Sequence, residues 1–524
     1  MSRLHSSTGR AAAVILGAAM LGGCGADASP LGDATAVEEG AIVWEPCAPV
    51  QGGGGPEAAC ALVGLPLDWA APDGEVLTLF VKRVRGAEAP RRSLWLLAGA
   101  PGASGASFEA AVPALLEMDP ALEIFLLDHR GAGRSTPLGC PGEPFGEAAL
   151  PLEVWGGCVE ALRSTWGDRL EHFNTTAAAR DLGALIEATR EPGRAVHVYG
   201  TSYGAVWAQR YLQLFPEQPD AITLDGLLTA GGGQPFWVDA WHDRAGDALF
   251  GHCMDDPVCR AKVGDQPRVT VETFFARIDA ARCAPLDDGR VSRARMRQVF
   301  ATLMPHEALR AAIPAIVYRG LRCEPGDAEA ILHAVDVAAR LSPPSGSPQR
   351  TSSALGMHLM LSELAPEAPP PAEELKAIQR AAHVSPDRGE LHRALYDTWP
   401  RYVPDASSEV APTTEVPVLM LHGALDPQVP VEVAKEIASR FQGAHQTLVA
   451  LEPAARGLKL DAPEGIPALD SCALSLWMRF LKDPEAPVDA SCARSMGGIP
   501  FAGSTSLAQE VFGTGDLWEN RGGV

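Results

Sequence analysis

The stretch Ala195-Val196-His197-Val198-Tyr199-Gly200-Thr201-Ser202-Tyr203-Gly204 decides the fold. A short apolar run with strand character leads into Gly-x-Ser-x-Gly. The following residues, 205–215, set Trp207, Tyr211 and Leu214 three or four positions apart, on one face of a helix. A sharp strand-to-helix turn lifts one side chain to the C-terminal edge of a sheet, and small residues two positions to either side keep the crowded backbones from colliding. Ser202 is that side chain, and so the candidate nucleophile.

Working outward, apolar runs at 77–84, 93–97, 124–127 and 221–224 read as further strands, and 181–190 reads as a helix. Strands alternating with helices predict a mostly parallel sheet with helical crossovers. From 236 to 405 the strand signal disappears and successive helices are expected at 269–282, 292–304, 307–321, 327–341, 353–364, 372–382 and 390–402. Proline-rich breaks at 342–348 and 366–371 interrupt them. Strand character returns at 416–421 and 446–451, with helices at 431–441 and 472–481, so the sheet resumes after a helical insertion.

Three other segments bear on chemistry. Leu96-Leu97-Ala98-Gly99-Ala100-Pro101-Gly102 ends a strand in a tight loop that can aim the N–H of Gly99 or Ala100 at a developing oxyanion, with the Tyr203 N–H as second donor. Asp128-His129-Arg130-Gly131-Ala132-Gly133-Arg134-Ser135 follows the next strand, and its charged residues are expected to knit loops together beneath the site. Pro417 to Asp426 is a buried strand that delivers the Asp426 carboxylate to the same edge. Asp426 is the natural third member of a catalytic triad.

Lys and Arg total 43 against 65 Asp and Glu, a net charge of −22, which argues against a nucleic acid partner. With 46% hydrophobic and 21% charged residues in 524, the chain has material for a large core, which excludes wholesale disorder. Arg3 and Arg10, the apolar 11–20 and Leu21-Gly22-Gly23-Cys24 resemble a bacterial lipoprotein signal. That pattern implies export, lipidation of Cys24 and a membrane partner through the lipid. Setting Cys24 aside leaves ten of the 11 cysteines, an even number suited to disulfides in an oxidising compartment. Proximity suggests Cys47–Cys60, Cys140–Cys158, Cys253–Cys259, Cys283–Cys323 and Cys472–Cys492, although other connectivities are open. No cysteine or histidine cluster has zinc spacing, and neither metal nor cofactor is implied.

Taken together, Trp44 and Cys47, Pro66-Leu67-Asp68-Trp69, 98–102, 128–135, 200–204, Leu224-Asp225-Gly226, 423–426, Cys472 and Cys492 resemble the α/β-hydrolase-fold serine aminopeptidases, the prolyl and tripeptidyl aminopeptidase family. The resemblance implies an α/β-hydrolase fold, a mostly parallel sheet flanked by helices, with a helical cap between the sixth and seventh strands. It divides the chain into a lipoprotein signal (1–23), a linker (24–40), a first part of the core (41–235), the cap (236–405), and a second part of the core with a C-terminal tail (406–524). It implies hydrolysis of peptides from a free N-terminus, with an acidic cap residue binding the α-ammonium group. Ser362-Glu363 matches that acidic segment, so Glu363 is the implied anchor.

The chain departs from the family twice. Ala100 stands where a second glycine is usual, and Arg456, in Pro453-Ala454-Ala455-Arg456-Gly457, stands where the family has its catalytic histidine. A guanidinium has no acceptor lone pair and stays protonated, so Arg456 is no general base. His445 begins the last strand, at the far end of the sheet; His422 and His129 lie nearer without a catalytic expectation. Loss of the base in such a unit costs about 10⁶ in turnover and leaves about 10³ to 10⁴ over water. An Arg456–Asp426 ion pair is expected, since a buried unpaired carboxylate is costly. Three functions follow: an impaired serine aminopeptidase, an inactive hydrolase-fold lipoprotein that binds peptides or other small ligands, or an esterase on the same scaffold.

Overall fold

Ten strands line up in one sheet in the computed structural model, which describes residues 35–36, 42–50, 57–140, 152–282, 289–341, 351–462 and 471–520. They are β1 (Thr35–Ala36), β2 (Glu45–Cys47), β3 (Ala58–Pro66), β4 (Val76–Arg85), β5 (Arg92–Leu97), β6 (Leu122–Leu127), β7 (Ala195–Thr201), β8 (Ala221–Asp225), β9 (Val418–Gly423) and β10 (Gln446–Leu451). The spatial order is β1-β3-β4-β6-β5-β7-β8-β9-β10, with β2 beside β3. From β6 to β10 every pairing is parallel, and β4 runs antiparallel to both of its neighbours. Counted from β3, the helical insertion falls between the sixth and seventh strands, as expected. The signal segment and Cys24 lie outside the described residues.

Register brings the chemistry-bearing loops to one edge. Leu97 pairs with Gly200, Thr201 with Asp225, Asp225 with Leu421, and Gly423 with Leu451. The loops that leave these strand ends carry Gly99, Ser202, Gly226, Asp426 and Arg456. β6 is buried at every position, as a central strand covered on both faces must be. Helix α1 (Thr175–Thr189) and helix α2 (Tyr203–Leu214) cover one face, and helix α5 (Cys472–Lys482) covers the other, where the Trp477 indole donates to Thr223 Oγ1 at 3.0 Å.

The cap runs from helix α3 (Gln234–Asp255) to the helix Gly389–Tyr396. Helix is expected as far as 402 but ends at Tyr396, with Pro400 close behind; a residue before proline is disfavoured in the α conformation. The cap has its own core, and the C-terminal stretch completes it: Ile499, Phe501, Val511, Phe512, Leu517 and Trp518 pack among cap residues such as Phe274, Phe300 and Ile331. Helix α6 (Thr505–Phe512) belongs to this layer. Arg319, fully buried, donates to the carbonyls of Leu517 at 3.0 Å, Asp516 at 2.8 Å and Glu519 at 3.0 Å, and ion-pairs with Asp327 at 3.3 Å.

Disulfides join Cys47 to Cys60, Cys140 to Cys158, Cys253 to Cys259 and Cys472 to Cys492. Cys323 is also disulfide-bonded, while Cys283 lies outside the described residues. The loop after β6 does what its charges suggest. Arg130, with no exposed surface, donates to both Asp181 oxygens at 2.7 and 2.6 Å and to the carbonyls of Leu67, His172 and Pro66 at 2.8, 2.9 and 3.2 Å. One guanidinium thus ties together three chain segments and α1. Removing one partner of such a pair leaves the other charge buried and unpaired. Arg130→Met is expected to lower stability by about 3–5 kcal/mol, with part recovered by adding Asp181→Leu; urea unfolding midpoints of the two variants check this.

Candidate active site

Ser202 occupies the left-handed side of backbone space, φ 50° and ψ −115°, immediately before α2. A Cβ on Gly200 would stand 2.1 Å from the Gly204 carbonyl oxygen, and one on Gly204 would stand 2.2 Å from that of Leu97. The elbow therefore needs both glycines. The Ser202 N–H donates to the Asp225 carbonyl at 2.8 Å, and the residue stays half-buried while Thr201 and Tyr203 on either side are buried.

Asp426 reaches the same place from β9. Its Oδ1 accepts from the N–H groups of Gln428 at 2.8 Å and Val429 at 3.4 Å, which fixes the carboxylate. Its Oδ2 lies 3.8 Å, and the Ser202 nitrogen 3.9 Å, from the point where a Cβ on Gly226 would stand. Asp426 and Ser202 thus flank Gly226, whose φ is +70°.

Arg456 sits on the loop after β10, its backbone nitrogen 2.4 Å from the position of a Cβ on Gly423, with Leu425 N–H donating to the Ala454 carbonyl at 2.9 Å. This is the loop on which the resemblance places the family's histidine. The expected ion pair to Asp426 does not form: Asp426 is satisfied by backbone N–H groups, and the carboxylate that feels the Arg456 charge is Asp461.

The histidines near the site are committed elsewhere. His422, fully buried, accepts on Nδ1 from the Leu227 N–H at 3.1 Å and donates from Nε2 to the Val429 carbonyl at 3.0 Å. His129 contacts the Arg130 carbonyl through Nδ1 at 2.6 Å and the Tyr203 hydroxyl through Nε2 at 3.1 Å, and burial holds it down at about 3. The His445 carbonyl accepts from the Val418 N–H at the opposite ends of β9 and β10. His242 on α3, which the sequence reading did not single out, feels the Asp426 charge; burial nonetheless lowers it to about 4, and its Nδ1 donates to the Val238 carbonyl at 2.8 Å.

At the oxyanion loop, the Tyr203 N–H donates to the Gly99 carbonyl at 3.0 Å. Ala100 is exposed, and its carbonyl accepts from the Ala103 N–H at 2.9 Å. The left-handed residue of this loop is Gly102, φ +83°, not Ala100, so the β-carbon there brings no strain. The cap presses on the loop through helix α4 (Ser353–Leu359). The Ser352 N–H donates to the Gly102 carbonyl at 2.9 Å, and a Cβ on Gly356 would stand 2.6 Å from the Pro101 carbonyl oxygen.

Glu363 lies on a single π-helical turn, Met360–Leu364, that continues α4. Buried, it accepts on Oε1 from the Thr175 N–H at 2.8 Å and from the Tyr402 hydroxyl. Burial raises its carboxyl above the usual range, and these donors pull it back. It faces a cavity of about 320 Å³ along α2, lined also by Thr175, Gln209, Arg210, Tyr402 and Asp405 but not by Ser202 or Asp426. Tyr203, whose hydroxyl meets Thr175 Oγ1 at 2.8 Å, lies between the two places. The contributions of Thr175, Tyr402 and Asp461 carry no local sequence signal.

Residues 93–246 match the family model described as alpha/beta hydrolase fold, and residues 391–492 match that of TAP-like proteins. The chain is 29% identical over 273 residues to a tripeptidyl aminopeptidase of Streptomyces coelicolor, covering 43% of this chain and 47% of that protein. It is 27% identical over 296 residues to the serine protease Hip1 of Mycobacterium tuberculosis, covering 48% of this chain and 52% of that protein. The chain thus spans about half the length of the curated relatives it matches. A solved α/β hydrolase from Novosphingobium aromaticivorans is 14% identical, with a TM-score of 0.34 over 82% of this chain and 99% of that one. With a mostly parallel sheet flanked by helices, the chain has the α/β-hydrolase fold, and over part of its length it resembles aminopeptidase-like proteins of that fold.

Proposed function

We propose that the chain is a serine hydrolase of the peptidase kind, an aminopeptidase that cleaves peptides from a free N-terminus, with turnover impaired because Arg456 stands where a proton acceptor belongs. The observation that carries this reading is the elbow itself: a half-buried Ser202 held at φ 50° with Asp426 across Gly226. Ser202 Oγ attacks the scissile carbonyl, the Ala100 N–H and, once released from the Gly99 carbonyl, the Tyr203 N–H hold the oxyanion, and Glu363 anchors the substrate amine. Asp426 orients the base where one is supplied. A second reading, a peptide-binding protein without turnover, is favoured by the engagement of His129 and His422 in structural bonds.

Restoring an imidazole separates the readings. Arg456→His is expected to raise peptidase turnover by about 10² or more out of the roughly 10⁶ that a complete unit supplies, and adding Ser202→Ala is expected to abolish the gain. Equal, negligible turnover in all three proteins, with peptide still bound, would favour the binding reading. For the amine anchor, Glu363→Gln in the Arg456→His background is expected to lower kcat/KM on free-amine peptides about 10- to 100-fold, the worth of a hydrogen bond to a charged group, and to leave N-acetylated peptides unaffected. Export and lipid attachment at Cys24 are part of the same proposal. Cys24→Ser is expected to move the protein from the membrane fraction to the soluble fraction and to end incorporation of labelled fatty acid.

A further inference from the structure

The cavity of about 320 Å³ beside α2 has the buried Glu363 carboxylate on its wall. Another part of that wall is the segment that follows β8. Gln209 Nε2 donates to the Leu228 carbonyl at 2.8 Å, and the Gly231 N–H donates to the Glu363 carbonyl at 2.7 Å. Gln209 and Glu363 therefore hold the two ends of one short stretch, whose middle residues, Thr229 and Ala230, line the cavity with them. Val206, three residues before Gln209 and on the same face of α2, adds an apolar side.

The hydrogen bonds fix which valences remain for a ligand. Gln209 Nε2 also donates to the Ala205 carbonyl at 3.0 Å, so both of its N–H groups are spent. Two carbonyls against that nitrogen set the orientation of the amide, and Oε1, an acceptor, is the atom left over. The Tyr402 hydroxyl gives its one proton to Glu363 Oε1, the oxygen that also takes the Thr175 N–H. The phenol oxygen is thus left with lone pairs alone, and Glu363 Oε2 carries neither of these bonds. Arg210, the guanidinium on the wall, is engaged by Thr176 Oγ1 at 2.9 Å, Gln213 Oε1 at 2.7 Å and Asp405. Ser408 Oγ, on the same wall, is buried with no hydrogen-bond partner among the described residues, a state that a bound ligand relieves. The cavity is rich in acceptors and calls for a donor.

We propose that this cavity selects a primary ammonium group, whose three N–H donors are shared among Glu363, Gln209 Oε1 and the Tyr402 oxygen, and that Gln209 is the residue that tells it from a secondary one. The proposal rests on the reading of Glu363 as the amine anchor and deepens it. A lone carboxylate accepts any protonated amine, whereas three acceptors around one nitrogen do not. A secondary ammonium, such as an N-terminal proline or an N-methylated residue, has two N–H groups and leaves one acceptor buried and unpaired. The volume, at the low end for ligand pockets, suits the amine and the first residue that bears it. Gln209 discriminates with its oxygen while its nitrogen holds the wall.

Calorimetric titration of the full chain with small amides at neutral pH tests this without any turnover. Alanine amide is expected to bind, N-methylalanine amide and proline amide to bind about tenfold more weakly, the worth of one hydrogen bond to a charged group, and N-acetylalanine amide not to bind. In Gln209→Met the gap between alanine amide and N-methylalanine amide is expected to close. That readout is a ratio, so a loosened wall that weakens both ligands alike does not move it. Ala230→Leu, which fills the cavity and leaves its polar groups in place, is expected to weaken every amide; unchanged binding there puts the ligands elsewhere and overturns the proposal. Equal affinity for alanine amide and N-methylalanine amide in the unaltered chain, or a gap that survives Gln209→Met, also overturns it. In either case exclusion of N-acetylalanine amide leaves Glu363 standing as the anchor. If all four amides bind alike, or none binds, the anchor reading falls together with the proposal.

Discussion

At the turn between β7 and α2 the backbone is packed so closely, Gly200 against Gly204 and Gly204 against the Leu97 carbonyl at the end of β5, that neither glycine tolerates a β-carbon, and Ser202 between them is held in a conformation it would not choose alone. The rest of the edge is arranged around it. The Ser202 N–H is fixed by the Asp225 carbonyl, the Gly226 N–H by the Leu421 carbonyl at 2.8 Å, and the turn after β9 is then positioned to set Asp426 across Gly226. A strained residue persists only where its surroundings over-determine it. Here the surroundings are three adjacent parallel strands whose ends are level.

What surrounds the elbow is tighter than a cap over a hydrolase core suggests. The segment from Ser352 to Glu363 lies within the cap in sequence but is bonded to the core along its length. Ser352 reaches Gly102 and Leu138, His358 donates to the Leu170 carbonyl at 3.1 Å, and Glu363 meets Thr175. His358 also accepts from the Trp399 indole at 3.1 Å, and burial lowers it to about 4, so it stays neutral and structural. This side of the cap is stapled down, whereas the Lys459 to Pro305 contact ties the other side through one long side chain.

Much of this was legible in the chain, for local reasons. The runs that become β5 to β10 are rich in Val, Leu and Ile, and the elbow is a glycine pattern between a strand and an amphipathic helix. β3 was not legible: Ala58-Ala59-Cys60-Ala61 lacks branched and aromatic residues, and its strand character comes from pairing along its length with β4. Ser202 and Asp426 were found because motif and strand context coincide. Thr175 and Tyr402 were not, because each acts through a partner far away in the chain, Glu363, that no spacing rule connects. The ion pair expected between Arg456 and Asp426 assumed that a carboxylate needs a cation, and two backbone N–H groups met that need instead.

The packing of Phe501, Phe512 and Trp518 among the cap helices has a consequence for how the molecule is made. The helices they complete leave the ribosome well before them, by a delay on the order of ten seconds at ordinary rates of synthesis. Throughout that interval Phe274 and Phe300 lack the part of their packing that these residues supply, and Arg319 lacks its carbonyl partners at Asp516, Leu517 and Glu519. During biogenesis the cap core is therefore completed only by residues that emerge long after its helices, while the sheet beneath it waits for β9 and β10 in between.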